Sequence, residues 1–124
     1  MPVQEINSNY IFTDGEIQSF KVDYQVPTDK GLEIWARVKI KAKHALPHDK
    51  FEYCQLELNF ASVISMFVAE DFDRDNKISN MTLKKMDDGT FYISLFPFSD
   101  DNEPHEKDNF VITAKDFTFD LVKS

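Results

Sequence analysis

The chain has little sulfur: one cysteine, Cys54, and four methionines. A lone thiol closes no internal disulfide, so the fold has no covalent staple. Three glycines and five prolines in 124 residues exclude collagen-like, linker-like and low-complexity material. No apolar run is long enough to cross a bilayer, and the opening MPVQEINSNY lacks the charged and apolar regions of a secretory leader. Positive charge is also scarce, with 14 basic residues against 22 acidic ones and a net charge of −8. Such a field repels phosphate backbones and attracts basic proteins. The expectation is a cytoplasmic protein with no membrane and no nucleic-acid partner.

Aromatic residues are plentiful. Twelve phenylalanines stand beside four tyrosines and one tryptophan. Phenylalanine is apolar throughout and favours strands, which predicts an aromatic-rich core built from β-structure. Hydrophobic residues at 42% and charged residues at 29% are globular proportions, and the length suits one domain over residues 1–124.

The stretch LEIWARVKIKA, residues 32–42, alternates strictly. Leu32, Ile34, Ala36, Val38, Ile40 and Ala42 share one face; Glu33, Trp35, Arg37, Lys39 and Lys41 share the other, as in a half-buried strand. Residues 17–26 alternate before it, and the two runs read as a hairpin whose loop Pro27 lengthens beyond two residues. Residues 53–60 place Cys54, Leu56, Leu58 and Phe60 inward. Residues 61–72 suit a helix or a strand, and strand neighbours on both sides favour the strand. Residues 78–86 and 90–98 flank Asp87-Asp88-Gly89, a hairpin signal. Residues 99–109 form an acidic loop. The last run, 110–122, shifts its apolar set from even to odd positions at Ala114-Lys115-Asp116, as a β-bulge would. About seven short strands predict an all-β, single-domain antiparallel β-sandwich or curled sheet.

Few constellations suggest chemistry. In EDFDRDNKIS, residues 70–79, Asp71, Asp73 and Asp75 match the first three ligand positions of a calcium loop, and Ile78 matches its apolar position. The closing bidentate carboxylate is replaced by Thr82, so a solvated strand connection is the preferred reading and calcium binding a minor alternative. His44 and His48 have zinc-like spacing, but Pro47 lies between them and no third ligand follows; they read as exposed loop residues. Cys54 falls on a buried face, and no nucleophile elbow or glycine-rich phosphate loop is present. No catalytic residue, metal site or cofactor is assigned.

Charge is segregated along the chain. Residues 30–50 carry six basic and two acidic side chains, whereas residues 86–124 carry nine acidic and three basic. The Trp35, Arg37, Lys39, Lys41 face reads as cross-strand pairing, for example with Glu57. Carboxylates crowded on exposed loops repel one another, and a basic partner relieves that repulsion. The candidate partner-binding residues are therefore Asp71, Asp73 and Asp75, with Asp100, Asp101, Glu103, Glu106 and Asp108.

Three short segments carry a resemblance: Phe12-Thr13-Asp14-Gly15-Glu16-Ile17, Leu56-Glu57-Leu58-Asn59-Phe60-Ala61-Ser62-Val63, and Phe72 with Asn76-Lys77-Ile78. Their order resembles that of small cytosolic immunity proteins of bacterial polymorphic-toxin and contact-dependent inhibition systems, over roughly residues 12–83. Thr13 stands where that group has a histidine, so no role of that histidine carries over. The resemblance implies a non-enzymatic domain that neutralises a cognate toxin by binding it. Such toxins are often basic nucleases, which an acidic surface would steer in and cover. The alternative is a ligand-binding or enzymatic small β-barrel with a Phe-lined pocket.

Overall fold

Alternating side chains build most of this molecule. The computed structural model describes residues 2–68, 77–78, 80–99 and 101–122. A short helix, α1 (Pro2–Asn9), precedes seven strands: β1 (Tyr10–Thr28), β2 (Gly31–Leu46), β3 (Lys50–Phe67), β4 (Lys77–Ile78), β5 (Thr82–Lys85), β6 (Phe91–Phe96) and β7 (Asn109–Val122). All belong to one antiparallel sheet in the order β4-β1-β2-β3-β7-β6-β5. Of the two predicted architectures, the curled sheet is the one observed.

The curl follows from the chain path. β4 lies at one edge of the sheet and β5 at the other, yet Ile78 and Thr82 are only four residues apart. Four residue steps span at most about 14 Å, so the two edges approach each other. The predicted single run 78–86 is therefore two strands on opposite edges of the sheet.

The inner face is filled as the alternation predicts. Ala36, Val38, Ile40 and Ala42 are buried opposite Phe60, Leu58, Leu56 and the half-buried Cys54. The small Ala36 leaves room for Phe60, whose ring lies 5.0 Å from that of Phe117. Phe20 and Phe110 meet edge to face at 4.9 Å. The ends of the 32–42 pattern differ from expectation: Leu32 is 68% exposed, because β3 pairs with β2 only as far as Ala36.

Turns and bulges account for the other departures. Thr28 pairs with Gly31, so the first hairpin has a two-residue loop, and Pro27 sits inside β1 opposite Leu32. Proline suits a strand position that needs no amide donor. In the β5–β6 hairpin, the Gly89 amide donates to the Met86 carbonyl at 3.0 Å and Gly89 has φ 87°, as predicted for Asp-Gly. On β7 the buried set moves from Phe110, Ile112 and Ala114 to Phe117, with Lys115 and Asp116 exposed between. The extra residue itself is on β3: the β3–β7 register shifts between Val63 and Ser65, and Ser62 has φ 52°. Residues 61–67 are strand, as preferred.

Alternation gave no sign of α1. Its Val3 and Ile6 are three residues apart and buried against the sheet. Asn7 Nδ2 donates to the Leu83 carbonyl at 3.0 Å, and Asn102 Oδ1 accepts the Leu83 amide at 3.1 Å. Two asparagines thus satisfy the outer backbone groups of edge strand β5, which would otherwise invite another strand.

Candidate functional site

The acidic loop between β6 and β7, residues 97–108, is organised by a carboxylate that it buries. Asp108 is 3% exposed. Its Oδ2 accepts the Tyr92 hydroxyl at 2.5 Å and the His105 amide at 2.9 Å, and its Oδ1 accepts the Phe98 amide at 2.7 Å. The Asp108 amide in turn donates to the His105 carbonyl at 3.1 Å. Burial by itself would raise the Asp108 pKa; the hydrogen bonds from Tyr92, Phe98 and His105, with nearby His105, outweigh it and hold the carboxyl below its ordinary value. Burial, then the bond to Asp108 and its charge, push the Tyr92 phenol well up.

The loop is also fixed to the sheet elsewhere. Lys84 Nζ donates to Glu103 Oε2 at 2.6 Å, and Asn102 holds the β5 edge. Asp101 Oδ1 accepts the Glu103 amide at 3.0 Å, and its Oδ2 lies 3.3 Å from His105 Nε2. These contacts, the Glu103 amide first, lower the Asp101 pKa. Phe98 is 60% exposed, with its ring 5.8 Å from that of His105 and 5.2 Å from Lys107 Nζ. An aromatic side chain therefore stands in solvent on a backbone pinned by a buried carboxylate.

The predicted partner-binding residues divide into distinct groups. Asp101, Glu103 and Glu106 are exposed on one loop. Asp108 is a correction: it lies inside, and all its contacts serve the loop, since a carboxylate accepting three hydrogen bonds stabilises the backbone around it. Glu103 is exposed but already paired with a lysine of its own chain. Asp71, Asp73, Asp75 and Asp100 lie outside the described residues.

A second surface occupies the outer face of β2 and β3. Lys41 Nζ sits 4.8 Å from the Tyr53 ring centroid and Lys43 Nζ 4.7 Å from that of Phe51. The two rings meet edge to face at 5.5 Å. Tyr53 is 64% and Phe51 45% exposed. Depressions of about 580 Å³ and about 400 Å³ flank this ladder, with Lys41 and Tyr53 in both walls. Phe51 and Lys43 lay beyond the runs recognised in the sequence, although the period of two continues through them. Lys39 stands directly opposite Glu57, as the cross-strand reading expects.

Other sequence features have structural roles. The Glu33 carboxylate accepts the Trp35 indole N–H at 3.1 Å and the Ser62 hydroxyl, bridging β2 and β3 where their ladder ends. These two bonds, that of Ser62 first, lower its pKa. His44 is not a loop residue but lies on β2, stacked on Tyr10 at 5.0 Å and 3.4 Å from Glu52. His48, with φ 64°, is in the β2–β3 turn as expected. Burial, then the Glu52 charge, pushes the Cys54 thiol up, away from a reactive thiolate.

Among the described residues, no three His, Cys, Asp or Glu side chains are grouped to hold a metal ion, and no helix is long and apolar enough to cross a membrane. No protein-family model, curated protein or solved structure matches the chain.

Proposed function

We propose that this chain is a non-enzymatic, cytoplasmic protein-binding domain that neutralises a cognate bacterial toxin domain, with loop 97–108 as its contact. One observation carries the reading: the buried Asp108 carboxylate fixes the amides of Phe98 and His105, so these two points of the loop are held in place before any partner arrives. Preorganisation removes an entropic cost that a mobile loop meets on binding. The exposed Phe98 ring supplies the kind of aromatic anchor that dominates many interfaces. Asp101 and Glu106, exposed on the same loop, supply a negative field that accelerates encounter with a basic protein, whereas Glu103 is matched by Lys84. The Phe-lined pocket has less support, because the core rings pack on one another.

The test uses the toxin domain encoded in the adjacent reading frame. Asp101→Lys with Glu106→Lys should slow association at least tenfold at low salt and much less at high salt. An on-rate unchanged at both salts, or the absence of a toxin domain beside the gene together with turnover of a small metabolite, would overturn the reading.

A further inference from the structure

Lysines in an acidic protein usually find carboxylates. Yet among the described residues neither Lys41 nor Lys43 has a carboxylate within 4 Å; each lies over an aromatic ring. Glu16 stands opposite Lys41 on the neighbouring strand and Glu52 shares a depression with it, yet neither carboxylate closes on an ammonium, and both lysines turn to the rings instead. The rings restrain the ammonium groups without neutralising them.

The geometry points to a docking surface on β2 and β3 for an extended acidic segment of a protein partner, with carboxylates on alternate residues. Lys41 and Lys43 are two residues apart on one strand, so their stems leave the sheet about 7 Å apart. Same-side side chains of any extended peptide repeat at that spacing, which places one carboxylate on each ammonium. The exposed rings of Tyr53 and Phe51 add apolar contact, and the depressions beside them, which carry Glu52 on one side and Asp14 and Glu16 on the other, suit the uncharged side chains between the peptide's carboxylates. Single-stranded nucleic acid is the less complementary occupant. Each ring already has a lysine over one face, and the rings meet edge to face instead of presenting the parallel platforms on which successive bases stack. This surface is separate from loop 97–108 and does not depend on the toxin reading.

The experiment titrates the isotopically labelled full chain with an eight-residue peptide of alternating glutamate and threonine, read by amide chemical shifts. Shifts should centre on Lys41, Lys43, Phe51 and Tyr53. Lys41→Gln with Lys43→Gln should weaken binding at least about tenfold, and Lys43→Gln alone covers the case in which the pair perturbs folding. Shifts centred elsewhere, or equal affinity in the folded variants, overturn the inference. An oligothymidylate of equal charge binding as tightly also overturns it, in favour of nucleic acid. Concentration-dependent shifts at these residues without peptide, lost in the variant, overturn it in favour of a second copy of the chain.

Discussion

Tyr92 donates its phenolic hydrogen to the buried carboxylate of Asp108 at 2.5 Å. That bond joins β6 to the end of the 97–108 loop, and the same carboxylate holds two loop amides. Removing the acid leaves a half-buried hydroxyl and two amides without their acceptor. Asp108→Ala should cost roughly 3 kcal/mol, measured as a lower urea midpoint, with faster amide exchange at Phe98 and His105. An unchanged midpoint would mean that water satisfies these donors equally well.

The pH dependence of this pair has two limbs. Asp108 has a folded pKa below its unfolded value, so its contribution is complete above about pH 4 and disappears as pH falls through the folded value. Tyr92 has a folded pKa above its unfolded value, so its contribution is complete below about pH 10 and disappears as pH rises through the folded value. The gap in thermal midpoint between wild type and Tyr92→Phe should therefore stay constant from pH 5 to 9 and narrow at both extremes. A gap that widens above pH 10 has the wrong sign.

At Gly15 the backbone itself sets the requirement. A Cβ there would meet the carbonyl oxygens of Lys41 at 2.7 Å and Phe12 at 2.9 Å, neither of which can swing aside as a side chain would. The site lies in the irregular stretch of β1 between Ile11 and Glu16, where β4 also pairs. Gly15→Ala should destabilise by about 1–3 kcal/mol. Chemical denaturation measures this directly, and wild-type stability would refute the crowding.

The β5 edge depends on side chains for its protection. Asn7→Ala frees the Leu83 carbonyl, and Asn102→Ala frees its amide. Each should cost about 1 kcal/mol. Together they should promote concentration-dependent association seen by light scattering, because an unpaired edge templates another strand. A double variant that stays monomeric at high concentration would show that the edge is guarded by something else.

Asp108 and Asp101 show where reading the chain residue by residue fails. Both are aspartates in an acid-rich loop, and nothing in their neighbours' periodicity separates them. One is buried under three hydrogen bonds and the other faces solvent. The difference arises from Tyr92, sixteen residues away, whose hydroxyl meets Asp108 only after β6 and β7 pair. Glu103 is likewise matched to Lys84 across the fold. Helix α1 was invisible for another reason: eight residues with two inward apolar positions are too short for a 3.6-residue period to emerge.

Strand identity, by contrast, was determined locally. Side chains on a strand alternate between faces, so Ala36-Val38-Ile40 and Leu56-Leu58-Phe60 announced their inner face without knowledge of their partners. Asp88-Gly89 announced its turn because glycine tolerates a positive φ. The sequence alone determined an acidic antiparallel sheet; the expected aromatic core is in fact mainly aliphatic, with Phe12, Phe60, Phe110 and Phe117 the phenylalanines buried among Ile, Leu, Val and Ala. Only tertiary structure decided that its edges curl toward each other, which carboxylates are spent internally, and that two lysines stand over aromatic rings, because such pairings join residues far apart in the chain.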